Sequence, residues 1–290
     1  MKVAFTMDDL PLWPMSWPPK GYTPEGIVAD IRAAPHQHAI TGVYSFSNGW
    51  PLTQNPELAG ILDDWVGDGH HIANHTQSHI QLPDVRADVF IADIAEAQRA
   101  LAPWMSQAPR RMFRHPLCHW GETGQKLAAV NGYLGEAGLT PVDVTPWCYE
   151  WTWDRAWRNV RHSGDKGAQA LVRSSFVAFS VAQLNHDAAA ARAWFGQDCI
   201  AIALGHNVPF FAEIAEQYLG ALIGAGAEFV PLELALTGPV QVAVGSVVSD
   251  RFLVLQQKPA NAAGTPTAQF APGFEDLCRE IVAIGQGQTG

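Results

Sequence analysis

Short apolar runs alternate with longer amphipathic segments along most of the chain. Seven runs have the length and composition of strands, namely residues 2–7, 41–46, 70–74, 111–114, 140–145, 199–204 and 227–232. Between several of them, apolar residues recur at helical spacing in residues 24–34, 56–69, 83–105 and 210–226, and three of these four segments open with Pro. Since parallel strands need crossover connections, the alternation predicts an α/β protein with a mostly parallel sheet.

The order of elements leaves two architectures open. Seven strands can close into a barrel or form an open, doubly wound sheet, and 290 residues with 48% hydrophobic composition can bury a large core in either case. A dinucleotide-binding open sheet would carry GxGxxG after its first strand. Here the first strand is followed by DDLP instead.

The charge and the cysteine content of the chain limit the classes of function that it can have. The chain has 18 Lys and Arg against 28 Asp and Glu, a formal charge of −10, which argues against nucleic acid as a partner. Its four cysteines are widely spaced without a CxxC pair, so neither a zinc knuckle nor a disulfide scaffold is predicted. No apolar run approaches the roughly 20 residues of a membrane span, and no signal peptide precedes KVAFTM. We therefore expect no membrane partner and a cytoplasmic location.

The stretch TMDD, residues 6–9, ends the first predicted strand with paired acids. Chemistry in parallel α/β folds lies at the carboxyl ends of strands, and neighbouring strand residues point to opposite sides. Asp8 and Asp9 can therefore serve two roles, with one facing a metal and the other a substrate. Taken alone, a DD pair is more often a solvated turn or a helix cap.

The stretch HTQSH, residues 75–79, is the second candidate. On a helical turn, His75 and His79 lie on one face, within reach of a single divalent ion. With Asp9 they would form an open metal site that leaves positions for water and substrate. A structural histidine pair is the alternative interpretation of this spacing.

Four motifs together resemble the polysaccharide deacetylase superfamily, also called NodB-homology or carbohydrate esterase proteins. TMDD, HTQSH, FRHP (113–116) and LGHN (204–207) follow the order and approximate spacing of that superfamily's TFDD, H(S/T)xxH, RxP and LxH. EWTW (150–153) and EFVPLELAL (228–236) resemble later family segments. The resemblance implies a single-domain, distorted (β/α) barrel of about seven parallel strands over residues 1–240. Residues 241–290 lie beyond the motifs, and their own pattern predicts an extension packed on the barrel, with one further strand and turn within 242–255 and a helix at 274–285.

The same resemblance implies a role for each matching residue. Asp9, His75 and His79 would hold one divalent metal ion, zinc in the first instance, with cobalt, nickel or manganese as alternatives. Asp8 would be the general base, oriented by Arg114, and His206 the general acid. The backbone N–H of Leu117 would stabilise the oxyanion.

Three features depart from the family pattern. The residue after DD is Leu10 rather than glycine, and the glycine of the RxPxG motif is displaced to Gly121. The family's DxxDW motif has two acids, so either Glu150 or Asp143 can support His206. The loops near the motifs are rich in tryptophan, and aromatic walls suit sugar rings. We expect Trp13, Trp17, Trp151 and His115 to contact substrate.

The resulting prediction is a metal-dependent hydrolase of carbon–nitrogen bonds other than peptide bonds. Its expected reaction is deacetylation of an N-acetylated sugar or a related small or oligosaccharide substrate. An O-acyl esterase, a cyclic imide or ureide hydrolase, or a noncatalytic carbohydrate-binding protein remain alternatives, because fold alone does not fix the reaction. The oligomeric state is not predicted.

Overall fold

A seven-stranded parallel sheet forms the centre of the molecule. The computed structural model describes residues 1–14 and 17–287. The strands are β1 (Lys2–Asp8), β2 (Tyr44–Ser47), β3 (His71–Asn74), β4 (Met112–Phe113), β5 (Thr140–Pro141), β6 (Ala201–His206) and β7 (Glu228–Phe229). They lie in the order β5-β4-β3-β2-β1-β6, and β7 pairs with the start of β1. Each of the seven predicted strands is present.

The sheet curls into a half-barrel with helices on its outer side, which confirms the predicted distorted (β/α) barrel in a single domain. Strand β1 lies at its centre and pairs with β2 on one side and β6 on the other. Its residues after Lys2 are all buried, since both faces of a parallel sheet are covered. The register sets Asp8 beside Phe46 and His206, so the ends of three strands meet at one place.

Helices follow most of the strands. They are α1 (Pro24–Gln37), α2 (Trp50–Gln54), α3 (Ala59–Gly67), α4 (Ala87–Ala100), α5 (Ala102–Met105), α6 (Gly124–Glu136), α7 (Glu150–Val160), α8 (Lys166–Phe195), α9 (Pro209–Gly224), α10 (Leu232–Ala235), α11 (Gly238–Ala243), α12 (Gln257–Ala262) and α13 (Phe274–Gly285). Short 3₁₀ turns occupy Pro56–Leu58, Leu82–Asp84 and Pro116–Cys118. Pro24 and Pro209 begin α1 and α9, where proline needs no N–H partner.

Two local predictions were wrong. Residues 242–255 do not form a strand, because α11 occupies their start and Ser249 makes only a single antiparallel bridge to Gly121. The predicted strand at 227–232 is shorter and leads into α10. The 30-residue α8 was not predicted from the sequence. Within the described parts of the chain, no helix is both long and apolar enough to cross a bilayer.

The C-terminal residues pack closely against α7 and α8. Phe274 of α13 has its ring centroid 4.6 Å from that of Phe179 and 6.4 Å from that of Trp153. Asn159 of α7 donates to the backbone oxygens of Ile284 and Gly285, at 3.2 and 2.5 Å. Helix α13 therefore shares its apolar core with α7 and α8, and a domain boundary at residue 240 stays a prediction.

Candidate active site

Strand β1 ends between the two acids. Asp8 is its last residue, and Asp9 has a φ of 72°, a left-handed conformation that ends the extended backbone. The Asp9 N–H donates to Phe46 O at 2.8 Å, and the Asn207 side chain donates to Asp9 O at 3.1 Å. The turn is thus held by the neighbouring strands, and it sends the two carboxylates to different partners.

His75 and His79 come together on a loop, and the expectation of a helical turn was wrong. The loop follows β3, and two of its residues, Thr76 and His79, have φ values of 71° and 56°. The Asn48 side chain donates to the carbonyls of His75 and Thr76, at 2.7 and 3.2 Å. The resulting bend places the two imidazole centroids 5.0 Å apart.

Asp9, His75 and His79 fit a divalent metal ion. One donor atom from each residue lies within 4.8 Å of the others. Asp9 Oδ1 is 3.4 Å from His79 Nε2 and 3.8 Å from His75 Nε2. Asp9 Oδ1 is also buried without a hydrogen-bond partner among the described residues. A buried carboxylate oxygen without a partner is costly, and a bound cation would satisfy it.

The hydrogen bonds and burial of these residues also favour metal binding. His75 Nδ1 donates to the Arg114 carbonyl at 2.8 Å, which leaves the Nε2 lone pair directed at the site. Burial lowers the pKa of both His75 and His79 to about 3, so both imidazoles are neutral near pH 7. Burial raises the pKa of Asp9 well above its ordinary value. A cation would favour the ionised form of Asp9.

Asp8 and Arg114 form a buried ion pair beside the three candidate ligands. Asp8 Oδ1 lies 2.6 Å from Arg114 Nη1, and Asp8 Oδ2 is 3.6 Å from His75 Nε2. Arg114 also donates to Thr6 Oγ1 at 3.1 Å and lies 3.9 Å above the Phe46 ring. The guanidinium therefore holds one oxygen of Asp8 and leaves the other on the side of the histidines.

His206 is held by Glu150 rather than by Asp143. Its Nδ1 lies 2.5 Å from Glu150 Oε1, and both side chains are buried. Burial by itself lowers the pKa of His206, but the Glu150 carboxylate outweighs it and raises the pKa to about 9. Trp13 and Trp151 approach the imidazole edge-on, with centroids 5.1 and 5.3 Å away.

Asp143 has another partner, Lys258. The two side chains form an ion pair that is fully buried, and Lys258 Nζ also donates to the Cys118 carbonyl at 2.6 Å. This carbonyl belongs to the loop that carries Leu117, the candidate oxyanion donor. Leu117 and Cys118 both have left-handed backbones, with φ values of 53° and 55°.

A cavity of about 620 Å³ connects these groups. Its lining includes the acids Asp8 and Asp9, the histidines His75, His79 and His206, Leu117, and the aromatic residues Trp13, Trp147, Trp151 and Phe252. One stripe of α7 also lines it, through Trp151, Asp154, Arg155 and Arg158. These residues are spaced by three and four positions, so they share one helix face.

Two predicted substrate contacts do not lie at the cavity. Trp17 is 58% exposed and is not among the lining residues. His115 is 2% exposed, and its ring packs on Phe90 and Phe113 with centroids 5.8 and 4.8 Å away. His115 therefore packs in the core beneath the FRHP loop. Its side chain does not line the cavity, contrary to the expectation that it contacts substrate.

Several residues that surround the site were not predicted from the sequence. Lys258, Arg155 and Arg158 lie outside the four motifs, and nothing about a lysine within LVLQQKPANAA reveals its burial. The only available signal was its position as a lone cation in a mostly apolar stretch. The charged stripe of α7 was visible only after the helix was known.

A protein-family model described as Polysaccharide deacetylase matches residues 2–135, which contain TMDD, HTQSH and FRHP. LGHN lies beyond that match. No curated protein sequence matches the chain.

Several solved structures share the fold at low sequence identity. A CE4 family pseudoenzyme from Bacillus anthracis, BA3943, is 14% identical with a TM-score of 0.53, covering 81% of this chain and 65% of its own. The chain thus spans just under two thirds of that protein. A peptidoglycan N-acetylglucosamine deacetylase, Bc1960, is 17% identical with a TM-score of 0.52, covering 82% and 89%. A chitin deacetylase from the fungal pathogen Colletotrichum lindemuthianum is 18% identical with a TM-score of 0.51, covering 82% and 88%. The family-model match over residues 2–135, a little under half of the chain, makes this part of the protein similar to polysaccharide deacetylases, and the solved structures show that the fold is shared.

Proposed function

We propose that the protein is a metal-dependent hydrolase of amide bonds that removes an acyl group, in the simplest case acetyl, from the nitrogen of a small substrate. One observation carries the proposal. A single cavity contains three residues that could ligate one metal ion, a carboxylate held by an arginine, and a histidine held by a second carboxylate. These are the groups needed to activate water and to protonate a leaving amine.

Asp9, His75 and His79 would hold the metal ion. When bound, a divalent cation supplies a Lewis acid, which polarises a carbonyl oxygen and makes water more acidic. Two imidazoles and one carboxylate are typical ligands of catalytic zinc, which is therefore our first choice, with cobalt, nickel or manganese as alternatives.

Asp8 is the proposed general base. Its Oδ1 is occupied by Arg114 at 2.6 Å, whereas its Oδ2 faces the His75 side of the cavity. Oδ2 is therefore the atom that would accept the proton from the attacking water. Arg114 acts by fixing the orientation of this carboxylate, since it is buried away from the cavity surface.

His206 is the proposed general acid. Glu150 holds its Nδ1, so Nε2 is the nitrogen that would donate a proton to the departing amine. With a pKa of about 9, the imidazole is protonated near neutral pH and can serve as an acid at the start of the reaction. The Leu117 N–H, on a loop that lines the cavity, is the proposed donor to the oxyanion.

The aromatic residues that line the cavity favour a compact substrate. Trp13 and Trp151 both pack edge-on against His206, and Trp147 and Phe252 add further aromatic surface, with their ring centroids 5.1 Å apart. Aromatic walls accept the apolar face of a sugar ring or of another small ring. An N-acetylated sugar is thus the favoured substrate class. An O-acyl ester or a cyclic imide would place its carbonyl at the same groups, so both remain candidate substrates.

Turnover by the metal-loaded protein tests the proposal. The purified protein should be loaded with zinc and assayed for acid or ring-opened product from N-acyl, O-acyl and cyclic imide compounds. We expect release of acetate from at least one N-acetylated compound, and its loss in Asp8→Asn at unchanged zinc content. Full zinc loading without turnover of any compound would favour the noncatalytic alternative, in which the aromatic cavity only binds carbohydrate.

A further inference from the structure

A buried lysine from the C-terminal region reaches the loop behind the cavity. Lys258 is the second residue of α12, and its side chain is fully buried. Lysine is almost never fully buried unless it is paired, because desolvation of the ammonium is expensive. Here the ammonium is satisfied three times, by the Asp143 carboxylate, by the Cys118 carbonyl at 2.6 Å and by the face of Trp120 at 4.0 Å.

The loop that this lysine holds is conformationally strained. Leu117 and Cys118 are consecutive residues with φ values of 53° and 55°, which bulky side chains adopt only when the surroundings impose it. Two hydrogen bonds lie within the loop, from Cys118 N to His115 O at 2.9 Å and from His119 N to Pro116 O at 3.2 Å. The bond from Lys258 Nζ fixes the Cys118 carbonyl from outside the loop.

Asp143 anchors the lysine to the sheet. It follows β5, and its Oδ1 accepts from the Val144 N–H at 2.7 Å. The ion pair thus joins three parts of the chain, namely the end of β5, helix α12 and the loop of residues 116–118. Only the loop lies within the residues matched by the family model.

We propose that Lys258 is a positioning residue for the oxyanion donor, because its ion pair with Asp143 fixes the Cys118 carbonyl and so keeps the Leu117 N–H available to the substrate. This inference rests on the proposed hydrolase function, in which Leu117 stabilises the oxyanion. Lys258 itself contacts neither the candidate metal ligands nor the cavity surface. It acts through the loop, and it is supplied by the C-terminal part of the chain.

The test compares a double variant with a matched control. Lys258→Met alone would leave the Asp143 carboxylate buried and unpaired, so Lys258→Met with Asp143→Asn is used to remove both charges together. Gln256→Met is the control. Gln256 is buried two residues away and donates to Thr145 O and Asp187 O, at 3.0 and 3.3 Å, so its loss weakens the same segment without touching the loop.

Two readouts are measured on the full chain. The first is hydrogen–deuterium exchange of the backbone amides at residues 117–120 in the metal-free protein. We expect exchange to rise about tenfold in the double variant and to remain at the wild-type rate in Gln256→Met. The second is steady-state kinetics of the zinc-loaded protein. The double variant should lose about tenfold to a hundredfold in kcat with KM unchanged, because an oxyanion donor acts in the transition state.

Each outcome decides the proposal. Unchanged exchange at residues 117–120 overturns it whether or not the protein turns over a substrate. Faster exchange with wild-type kcat also overturns it, as does an equal loss of kcat in Gln256→Met. If wild-type protein releases no product from any acyl compound, the proposed hydrolase function falls, and the exchange experiment alone decides whether Lys258 holds the loop.

Discussion

Asp8 and Asp9 differ in environment although they are adjacent in the chain. The left-handed turn at Asp9 ends β1, so Asp8 keeps the strand geometry that leads to Arg114, while Asp9 turns toward His75 and His79. Asparagine at either position keeps the shape and removes the charge. The two substitutions should therefore affect different properties.

We expect Asp9→Asn to weaken zinc binding by at least about a hundredfold, because a carboxylate ligand is lost. Asp8→Asn should keep zinc affinity within a few-fold and lose at least about a hundredfold in turnover. Calorimetric titration of zinc and assays of the loaded protein measure both effects. Stoichiometric, tight zinc in Asp9→Asn would remove Asp9 from the ligand set.

Metal binding should depend on pH through a single proton. His75 and His79, with pKa values of about 3, are already neutral above pH 5, whereas the pKa of Asp9 is raised by burial. Below the raised pKa, zinc must displace the Asp9 proton, so affinity should rise by about tenfold per pH unit and then level off. Zinc titrations from pH 5 to 8 in buffers of different ionisation enthalpy measure this proton. Release of two protons would contradict this and show that a second group, for example one of the two candidate ligand histidines, also loses a proton on zinc binding.

His206 should titrate far above an ordinary histidine in the metal-free protein. Glu150 stabilises the imidazolium and raises the pKa to about 9, so the folded state binds this proton more tightly than the unfolded chain. The stability that results is fully present below pH 6.5 and is lost as pH rises through about 9. Nuclear magnetic resonance of the imidazole should show this midpoint, and Glu150→Gln should lower it. A midpoint near 6.5 in the wild type would contradict the assignment.

At the scale of elements, α7 both supports His206 and forms part of the cavity wall. Glu150 begins the helix, and Trp151, Asp154, Arg155 and Arg158 lie along one face of it and line the cavity. Arg158 is paired with Asp154 at 2.5 Å, and Asp154 also accepts from the Phe210 N–H at 2.9 Å. Arg158 is thus neutralised by Asp154, whereas Arg155 has no ion-pair partner among the described residues, so we expect its guanidinium to favour an anionic group on the substrate.

This charge arrangement predicts discrimination between substrates. Arg155→Met should lower kcat/KM about tenfold for an acylated substrate that carries a carboxylate and leave its neutral analogue unchanged. Arg161→Met is a suitable control, since Arg161 follows the same helix, pairs with Glu213 at 3.1 Å and does not line the cavity. Equal effects of Arg155→Met on both substrates would rule out recognition of the carboxylate.

The sequence predicted strands better than helices for a physical reason. A buried parallel strand is a short, continuous apolar run, and each of the seven runs could be recognised without tertiary information. Helix α8 combines alanine, serine and glutamine with apolar residues that face several neighbours, so no single stripe marks it. The HTQSH spacing fits a helical turn equally well, and only the positive φ at Thr76 and His79 shows that it is a loop.

The candidate site was predictable where a motif fixes both residue type and position. Asp8, Asp9, His75, His79, Arg114 and His206 carry such motifs, and the fold brings all six together. The sequence left open whether Glu150 or Asp143 supports His206. Only the fold shows that Asp143 is paired with Lys258, 115 residues away in the chain. Long-range pairs of this kind leave no periodic signal.

At the scale of the whole molecule, the packing of the C-terminal residues predicts that they unfold together with the barrel. Phe274 is 7% exposed and packs on Trp153 and Phe179, which also form the core between α7 and α8. Phe274→Ala should lower the free energy of unfolding by about 3 kcal/mol or more, as expected for a buried aromatic residue. Val282→Ala on the same helix, where the side chain is 39% exposed, should have a much smaller effect.

Thermal unfolding followed by circular dichroism measures both variants. We expect one transition in each case, at lower temperature for Phe274→Ala. Two separate transitions, with only the smaller one shifted by Phe274→Ala, would show that residues 241–290 fold independently.

The residues with a left-handed backbone conformation limit how this site can be transferred to another protein. Among the described residues, seven other than glycine have positive φ, and six of them lie in the loops that carry the site: Asp9, Thr76, His79, Leu117, Cys118 and Tyr149. Such conformations persist only where the surrounding structure enforces them. Grafting the same side chains onto the strand ends of an idealised barrel would therefore not reproduce their positions. A successful transplant would need to carry the four bends after β1, β3, β4 and β5 as intact backbone segments, together with the interior contacts that hold them.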